Sequence, residues 1–268
     1  MDIPQSTKSL GVTNEHDIEL RLKENGLEIG GSYKPKYCRS RNKVAIVIPY
    51  RNRKVHLIIF LSYIHLFLQR QQLEYSIFVV EQTDGSPFNR GMLMNIGFEE
   101  AQLQSNFKCF IFHDIDMLPE NDANLYGCPE DGKPRQMAFT IDIFEYKSTP
   151  DGYFGGVTAF SIKDFRKVNG FSNLFWGWGG EDDDLFQRLS FHNLTVTRPF
   201  DGLPNLTSFA RYRTLYHTEE KPNPERWRLI QEGKWRFQTD GLISLQYRRL
   251  FIKFKPLYTH IYVDIKKY

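Results

Sequence analysis

Three short apolar runs, separated by longer amphipathic stretches, set the pattern of the first half of the chain. Residues 43–49 (KVAIVIP), 75–81 (YSIFVVE) and 109–112 (CFIF) are rich in β-branched and aromatic side chains, which is typical of buried strands. Between them, residues 55–71 and 89–103 have the length and apolar spacing of helices. This alternation predicts an α/β fold with a mostly parallel central sheet flanked by helices.

The second half of the chain is less regular. It predicts one helix and four short strands, namely the helix at residues 182–191 and the strands at residues 136–142, 157–161, 195–198 and 259–265. Residues 1–42 are polar and weakly patterned, so we expect a partly ordered stem or linker there. A single domain is predicted to follow, over residues 43–268.

Composition narrows the class of protein. The 268 residues include 35 Lys and Arg against 32 Asp and Glu, a formal net charge of +3, and this balance argues against a nucleic-acid partner. A hydrophobic content of 41% excludes intrinsic disorder, and 15% aromatic residues suggest stacking surfaces, for which sugar rings are one natural partner. The longest apolar stretch, residues 57–68, is too short and interrupted to span a membrane, and no signal-peptide pattern precedes it.

Cysteines and glycosylation motifs bear on the compartment. Three cysteines allow at most one internal disulfide, and Cys109 and Cys128 flank a short polar loop that such a bond could close, which leaves Cys38 over. Two N-x-T motifs begin at Asn193 and Asn205 and can accept glycans only if the chain enters the secretory route.

Polar residues follow each of the three predicted strands of the first half. Because ligands bind at the carboxyl ends of parallel strands, we expect an anionic ligand or a metal ion at this edge of the sheet. The residues are Arg51 and Arg53, Glu81 with Gln82, and Asp114 with Asp116.

Asp114 and Asp116 are two positions apart, so their side chains would project to the same side of an extended segment and could share a divalent metal. This composition predicts roughly four such acid pairs by chance, so the position after a buried strand is the stronger signal. The alternative is a solvated strand end. Oxygen ligands suit Mg²⁺, Mn²⁺ or Ca²⁺, and an added imidazole, for which His217 is the candidate, favours Mn²⁺. Such a metal would act as a Lewis acid on a diphosphate leaving group.

The most unusual segment is residues 175–184 (FWGWGGEDDD), which precedes a helical pattern. A helix N-terminus stabilises negative charge and explains one or two acids there, but not four. Concentrated like charge raises carboxylate pKa values and makes one acid a candidate general base. The glycines can hinge a lid, and we interpret Trp176 and Trp178 as an aromatic platform for a sugar rather than as core residues.

Phosphate binding needs cations or oriented N–H groups. Arg51, Arg53 and Arg90 lie where a strand meets a loop or a helix begins, and their planar guanidinium groups suit bidentate phosphate contacts. The sequence has no P-loop, no dinucleotide-binding glycine motif, no G-x-S-x-G nucleophile motif and no zinc-type cysteine spacing, which disfavours those four classes.

Six segments, in this order along the chain, resemble the β-1,4-galactosyltransferase family. They are residues 49–53 (PYRNR), 88–90 (FNR), 114–116 (DID), 153–156 (YFGG), 176–184 (WGWGGEDDD) and 222–226 (PNPER). The resemblance covers roughly residues 30–265, and WGWGGEDDD is its most specific part. It implies one catalytic domain of the GT-A type over residues 43–268. The implied activity is Mn²⁺-dependent, inverting transfer of galactose from UDP-galactose to the 4-hydroxyl of terminal N-acetylglucosamine on glycoconjugates.

The resemblance also implies roles for individual residues. The donor-binding residues would be Pro49, Tyr50, Arg51, Asn52, Arg53, Phe88, Asn89, Arg90, Ile115, Asp116, Tyr153, Gly156, Trp178 and His217. The acceptor-binding residues would be Gly180, Glu181, Asp182, Asp183, Arg226, Trp227 and Ile230. Asp182 would be the base that deprotonates the attacking hydroxyl, Asp116 and His217 would bind Mn²⁺, and Trp178 would lie on a mobile loop that closes over both substrates.

Several positions bear on specificity and on the metal. The family often has a metal-binding Met where this chain has Thr214, which makes Thr214 a candidate third ligand, harder and weaker than a thioether. Ile143 replaces a usual Lys. The aromatic Tyr153 favours galactose, because its ring fills the space that a 2-acetamido group would need. Cys109 and Cys128 match a family disulfide, and Cys38 matches one half of a second.

The resemblance implies the Golgi lumen, since family members are type II membrane proteins; this chain shows no anchor, so we expect a truncated or alternative form. No nucleic-acid partner and no membrane span in this chain are expected. Two other functions stay open: an N-acetylgalactosaminyltransferase on the same scaffold, and a carbohydrate-binding pseudoenzyme that has lost turnover through Thr214. A glycoside hydrolase would also use paired carboxylates, but it has less need of arginines and a metal.

Overall fold

The computed structural model describes residues 15–200, 202–218 and 220–267. Its helices are α1 (Glu15–Glu24), α2 (Lys54–Arg70), α3 (Arg90–Gln102), α4 (Ile162–Lys167), α5 (Glu181–Phe191) and α6 (Arg226–Glu232). Its strands are β1 (Ser32–Tyr33), β2 (Lys43–Tyr50), β3 (Glu74–Gln82), β4 (Cys109–His113), β5 (Met117–Pro119), β6 (Arg135–Gln136), β7 (Thr140–Ile141), β8 (Val157–Ser161), β9 (Arg211–Thr214), β10 (Arg248–Phe254) and β11 (Thr259–Asp264). Short 3₁₀ helices cover Asp142–Phe144, Pro204–Ala210, Gly233–Trp235 and Leu242–Ser244.

The central sheet has the strand order β10-β11-β3-β2-β4-β8-β6, with β1 paired to β3. The four middle strands, β11, β3, β2 and β4, run parallel to one another, whereas β1, β8, β6 and β10 are antiparallel to their partners. The predicted α/β fold with a parallel centre is therefore confirmed, and the antiparallel strands lie toward its edges. A smaller sheet has the order β5-β9-β7.

Strand β2 is buried on both faces because a helix covers each side of the sheet. Val44, Ile46 and Ile48 join the core cluster that contains α2, and Ala45 and Val47 join the cluster that contains α3. Helix α3 approaches the sheet closely at Gly97, where a Cβ would overlap the side chain of Val47. The alternation of β2 side chains between two apolar layers explains why its sequence is a continuous apolar run.

The connections around β2 create a switch point. The chain leaves β2 through α2 and returns as β3 on one side, and it then crosses through α3 to β4 on the other side of β2. In open α/β sheets, ligands bind where two such crossovers leave in opposite directions, at the carboxyl ends of the strands. Here that point is the end of β2 and β4.

Most predicted elements of the first half are confirmed within two residues, and the second half holds the errors. The strand predicted at residues 195–198 is wrong: Thr197 forms only an isolated bridge with Arg135. The strand predicted at 136–142 is interrupted, since β6 and β7 are separated by three residues and the chain then turns into a 3₁₀ helix. Helices α1, α4 and α6 and strands β1, β5, β9 and β10 were not predicted.

Part of the segment before Lys43 contributes to the core. Ile18 and Leu22 on α1 are buried in the same cluster as α2, and β1 pairs with β3 through Ser32 and Tyr33. The domain boundary at Lys43 stays a prediction, but α1 and β1, which precede it, are packed against the rest of the domain.

The disulfide and the surface features have definite places. Cys109 and Cys128 form a disulfide with their Cα atoms 5.5 Å apart, and Cys38 is exposed with a free thiol. Asn193 and Asn205 both lie in exposed positions. Among the helices of the described residues, none has both the length and the apolar character needed to cross a bilayer.

Candidate active site

The predicted site residues gather at the switch point, where four segments meet. Arg51 to Arg53 follow β2, residues 114–116 follow β4, α5 begins at Glu181, and residues 215–218 continue from β9. Side-chain contacts join these segments to one another, so the arrangement is one site rather than four separate strand and helix ends.

Asp116 and His217 form the predicted metal-binding pair. His217 Nε2 lies 2.9 Å from Asp116 Oδ2, and its Nδ1 lies 2.9 Å from the carbonyl oxygen of Thr218. A carbonyl only accepts, so Nδ1 carries a proton and Nε2 is the nitrogen that can bind a cation. Two ligands at right angles around an octahedral cation, each at about 2.1 Å, are about 3.0 Å apart, so the observed spacing fits a shared divalent ion.

The electrostatics of this pair are consistent with a cation-binding role. Burial would raise the pKa of the Asp116 carboxyl, but the hydrogen bond and charge of His217 outweigh burial and lower it. The same hydrogen bond raises the pKa of the His217 imidazole. A divalent cation would replace the proton that the two groups share.

Thr214 makes two hydrogen bonds to the side chain of Asp142. Its hydroxyl donates to Asp142 Oδ1 at 2.9 Å, and its backbone N–H donates to the same oxygen at 3.0 Å. Thr214 also lines a cleft of about 510 Å³ together with His56 and Tyr146. No group of three or more His, Cys, Asp or Glu side chains with metal-binding geometry occurs within the described ranges, so Asp116 and His217 stand as a two-residue set. The role of Thr214 as a third ligand stays a prediction.

Asp114 and Asp116 do not face a common partner. Arg90 Nε donates to Asp114 Oδ1 at 2.6 Å, while Asp116 contacts His217. The interpretation that both acids share one metal is therefore not what the side-chain contacts show. Burial raises the pKa of Asp114 to about 6, although Arg90 opposes the shift.

Arg90 also joins α3 to α5. Its Nη1 lies 3.3 Å from Glu181 Oε1, and the other oxygen of Glu181 is buried with no hydrogen-bond partner among the described residues. Burial, and then the charge of Asp182, raise the pKa of Glu181 to about 7. One guanidinium thus faces more negative charge than it neutralises.

The four acids at the start of α5 have unlike surroundings. Glu181 and Asp184 are buried, Asp182 is half-buried, and Asp183 is exposed. Gly180 precedes them with φ of 100°, a left-handed conformation that glycine adopts without strain. We expected that an N-cap would not explain all four acids. The structure agrees with this expectation, since Asp182 and Asp183 are accessible to solvent whereas the other two acids are buried.

Asp182 has room for its carboxylate because the facing residue is a glycine. A Cβ built on Gly155 would overlap Asp182 Oδ2, and the Tyr153 hydroxyl lies 3.3 Å from the same point. Burial and then the charges of Asp182 and Asp114 raise the pKa of Tyr153. Phe144 packs edge-on against the Tyr153 ring, with centroids 6.0 Å apart, which fixes that ring beside the carboxylates. Gly155 was not among the predicted site residues.

Arg51 lies between the predicted donor-binding segments. Its guanidinium group stacks on the ring of Phe88, 5.3 Å from the centroid, and donates to the carbonyl oxygen of Ser86 at 2.7 Å. It also lies 3.3 Å from a Glu220 carboxylate oxygen. Pro49 and Tyr50 end β2 directly before it.

Asn52 and Arg53 link the end of β2 to other loops. Asn52 has a positive φ of 51° and donates to Asp84 at 3.0 Å. Arg53 Nη2 donates to the carbonyl oxygen of Thr218 at 3.4 Å, next to the predicted metal ligand His217. Arg53 therefore brings positive charge to the edge of the predicted cation site.

Three predicted donor-binding residues have evident structural uses. The Asn89 side chain is fully buried and caps α3, where it accepts from the Met92 N–H at 2.9 Å. Ile115 is buried in the core cluster of α2, and Gly156 has a left-handed φ of 71°. Their contacts with a donor stay predictions.

The tryptophan segment is joined to the segment before α6. Trp178 N–H donates to the carbonyl oxygen of Lys221 at 3.0 Å, and the N–H of Asn223 donates to the Trp178 carbonyl at 2.9 Å. Arg226 then packs against two rings, 5.5 Å from Trp178 and 5.2 Å from Trp227.

The two tryptophans of WGWGG differ in burial. Trp178 is 55% exposed, as a sugar-binding platform requires, whereas Trp176 is 7% exposed and belongs to the core cluster of α3. The interpretation of Trp176 as part of a platform is therefore wrong. Trp227 is 63% exposed, and the side chain of Ile230 on the same helix is half-buried.

Comparison with known proteins identifies the family. The chain matches the family models for the N-terminal region of glycosyl transferase group 7, over residues 4–129, and the N-terminal domain of galactosyltransferase, over residues 135–218. Human β-1,4-galactosyltransferase 4 is 44% identical over 244 residues, which are 90% of this chain and 69% of that protein. The chain belongs to the β-1,4-galactosyltransferase family. It is therefore a hexosyltransferase, and the resemblance predicted from the six segments is confirmed.

Other members of the β-1,4-galactosyltransferase family agree with this assignment. Human β-1,4-galactosyltransferase 1 is 44% identical over 253 residues, 93% of this chain and 62% of that protein. The chain thus spans about two thirds of the length of these two relatives.

Solved structures of the family confirm the GT-A fold. The catalytic domain of Drosophila β-1,4-galactosyltransferase 7 in complex with xylobiose is 27% identical, with a TM-score of 0.71 over 84% of this chain and 95% of that one. A mutant of the same fly enzyme in complex with manganese, UDP-Gal and xylobiose is 28% identical, with a TM-score of 0.69 and the same coverage.

Proposed function

We propose that this chain is a Mn²⁺-dependent, inverting β-1,4-galactosyltransferase that moves galactose from UDP-galactose to the 4-hydroxyl of terminal N-acetylglucosamine. The observation that carries the proposal is the Asp116–His217 pair, whose 2.9 Å spacing suits one divalent cation, at the same switch point as the half-buried carboxylate of Asp182. The fly relative that was crystallised with manganese and UDP-Gal supports this choice of metal and donor.

Positive charge on the donor side supports a diphosphate ligand. Arg53 ends beside the Asp116–His217 pair, and the guanidinium groups of Arg51 and Arg53 contact backbone carbonyls that a phosphate oxygen could replace as acceptors. When bound, Mn²⁺ would offset the negative charge that UDP gains as it leaves. The chain's own part is to orient the diphosphate with these arginines and to hold the cation with Asp116 and His217.

The acceptor side requires a base. In the proposed reaction, Asp182 takes the proton of the acceptor hydroxyl, the hydroxyl oxygen attacks C1 of galactose, and the bond from C1 to UDP breaks in the same displacement. Attack from the face opposite UDP inverts the anomeric centre. Glu181 lies beside Asp182 at the start of the same helix, and burial followed by the charge of Asp182 raises the pKa of Glu181 to about 7.

We assign the choice of donor to Tyr153 and the choice of acceptor to residues of α6. The ring of Tyr153, held by Phe144, fills space that a 2-acetamido group on the donor would need. Arg226, Trp227 and Ile230 lie on one short helix, with Arg226 also packed against Trp178. This grouping supports a sugar acceptor with an N-acetyl group.

The compartment is also a proposal. The Cys109–Cys128 disulfide is favoured in an oxidising environment, and the asparagines of both glycosylation motifs are exposed, so we propose that the chain works in the Golgi lumen.

The test is a transfer assay with product analysis. The purified chain is incubated with Mn²⁺, with UDP-galactose or UDP-N-acetylgalactosamine, and with N-acetylglucosamine, glucose or xylose acceptors, and the linkage of each product is determined. We expect a β-1,4-linked galactose on N-acetylglucosamine and its loss when Mn²⁺ is chelated. Asp182→Asn should lower the transfer rate by on the order of 10³-fold, with Asp131→Asn, an exposed acid paired to Lys163, as the unaffected control.

Other outcomes would replace the proposal. Preferred use of UDP-N-acetylgalactosamine would identify an N-acetylgalactosaminyltransferase and would remove the role given to Tyr153. Glycan binding without release of UDP under any condition would identify a carbohydrate-binding pseudoenzyme. Full activity of Asp182→Asn would refute the assignment of the base.

A further inference from the structure

A group of four charged side chains, three of them buried, joins α5 to the segment that follows α6. The charge quartet consists of Asp184, Arg188, Arg236 and Asp240. Arg188 Nε donates to Asp184 Oδ2 at 2.7 Å, and Arg236 Nη1 donates to Asp240 Oδ2 at 2.9 Å. Arg188 and Asp184 have no exposed side-chain area at all. Two acids and two guanidinium groups balance each other without a ligand.

Asp240 connects the charge quartet to the tryptophan segment. Ser172 donates its hydroxyl to Asp240 Oδ2 at 2.5 Å, and the N–H of Asn173 donates to Asp240 Oδ1 at 2.9 Å. Residues 172–173 lie just before the WGWGG segment, and Asp184 lies just after it, within α5. Both ends of the segment that carries Trp178 and Asp182 are therefore fixed to the same buried charges.

Arg236 connects the charge quartet to α6. Its Nη2 donates to the carbonyl oxygen of Leu229 at 2.5 Å, and the same nitrogen lies 3.7 Å from Asp184 Oδ1. The carbonyl groups in the last turn of a helix lack partners within the helix, and a cation there is favourable. Behind α6 the chain is close to α5 as well: a Cβ on Gly233 would lie 2.8 Å from Asp184 Oδ1.

We propose that Arg236 is a positioning residue, which holds α6 and its acceptor-binding side chains at a fixed distance from the carboxylates of α5. The role rests on the proposed function, because Arg226, Trp227 and Ile230 are its acceptor contacts and Asp182 is its base. Arg236 itself is not among the proposed substrate contacts. It acts through the Leu229 carbonyl on one side and through Asp184 and Asp240 on the other.

Arg236 is the member of the charge quartet that can be replaced with the least risk to folding. Its side chain retains 17% exposure, whereas those of Arg188 and Asp184 have none. Arg236→Met keeps the aliphatic stem and removes every guanidinium contact. Arg228→Met is the matched control, because Arg228 lies on α6 and its ion pairs among the described residues are with Glu225 and Glu232 at the surface.

The experiment measures steady-state kinetics with N-acetylglucosamine and UDP-galactose, UDP-galactose hydrolysis without acceptor, and hydrogen–deuterium exchange over residues 226–232. For Arg236→Met we expect the acceptor KM to rise by on the order of tenfold, with the donor KM and the hydrolysis rate changed less than about twofold. Exchange over residues 226–232 should become faster. Arg236→Lys should recover part of the acceptor KM, and Arg228→Met should resemble the parent chain in every measurement.

Two results would overturn the proposal. One is an unchanged acceptor KM in Arg236→Met; the other is an equal loss of transfer and of donor hydrolysis together with a lower melting temperature, which indicates a structural role only. If the parent chain does not use N-acetylglucosamine, the proposed function fails instead. The exchange measurement then still decides whether Arg236 holds α6, because it needs no acceptor.

Discussion

Two arginine-centred clusters on α5 differ in their balance of charge. In the acid-rich cluster at the first turn, Arg90 faces both Asp114 and Glu181, with Asp182 close by. The charge quartet includes Asp184, which lies three residues after Glu181 on the same helix. In this quartet, two guanidinium groups face two carboxylates. Residues of one helix thus belong to two clusters, one with surplus negative charge and one in which the charges balance.

This difference in charge balance distinguishes a binding site from a cluster that only stabilises the structure. In the acid-rich cluster, burial raises the pKa of Asp114 to about 6 and that of Glu181 to about 7. The charged forms of these two groups are therefore less favourable than in water, and a nearby cation would change their protonation. In the charge quartet, burial also raises the pKa of Asp184, but Arg188 and Arg236 oppose the shift. Surplus negative charge beside open space indicates a binding site, and a neutral buried group indicates a structural one.

The largest expected effect comes from breaking the charge quartet. Asp240→Asn leaves Arg188 and Arg236 with a single carboxylate, Asp184, and removing one member of a buried ionic group typically costs about 3–5 kcal/mol. We expect the free energy of unfolding, measured by urea denaturation, to fall by about that amount. A loss below about 1 kcal/mol would show that the buried charges contribute little to stability.

The next effect concerns the position of Asp182. Gly155→Ala places a methyl group on the Asp182 carboxylate, and because Gly155 does not have a positive φ, alanine can adopt its backbone conformation. Displacement of a reacting group by about 1 Å can cost about 100-fold in rate, so we expect kcat for transfer to fall by that order without loss of fold. Gly127→Ala is the control, since its Cβ would meet only Asn42 Nδ2 at 3.6 Å. Unchanged kcat in Gly155→Ala would mean that Asp182 is not held where we place it.

A smaller effect concerns pH. The folded pKa of Glu181, about 7, lies above its ordinary value of 4.5, so the folded state binds the extra proton. The contribution of Glu181 to stability is therefore fully present below pH 4.5 and is lost as the pH rises through 7. We expect Glu181→Gln to lose less unfolding free energy between pH 5 and pH 8 than the parent chain, as measured by urea denaturation at both pH values. Parallel losses in the two proteins would contradict the raised pKa.

The smallest effect comes from an exposed pair with good geometry. Arg70 makes two contacts of 2.6 Å with Asp122, but both side chains are partly exposed, so solvent screens the attraction. Asp122→Asn should change the free energy of unfolding by less than about 1 kcal/mol. A loss as large as that of Asp240→Asn would show that geometry, rather than burial, separates the two kinds of pair.

The centre of the fold follows from local sequence, and its periphery does not. β2, β3 and β4 are apolar runs because both faces of the sheet are covered, which is a pattern that one strand shows by itself. Residues 195–198 have the composition of a strand, but Thr197 finds only one bridging partner, Arg135, so no strand forms. Helix α1 was missed because its three apolar residues do not form a uniform buried face: Ile18 and Leu22 are buried, Leu20 is exposed, and the other residues are polar.

Some residues of the candidate site could also be predicted from the sequence, and others could not. Asp116, His217 and Asp182 belong to motifs that resemble a known family, so their positions could be predicted. Gly155 gives no signal of its own, because the reason for its lack of a side chain is a carboxylate 27 positions away in sequence. The members of the charge quartet are spread over residues 184–240, and only the tertiary structure shows that they balance one another. Trp176 and Trp178 look alike in sequence, and the direction of each ring is decided by packing.

The Cys109–Cys128 bond closes a ring of chain that contains both Asp114 and Asp116. The two cysteines are 19 residues apart in sequence. The disulfide therefore lowers the conformational entropy of the unfolded chain, which stabilises the folded state by roughly 3 kcal/mol. A chain produced in a reducing cytoplasm would lack this disulfide and its stabilising effect on the segment that contains the proposed cation ligand. An oxidising expression host is therefore the sounder choice for obtaining active material.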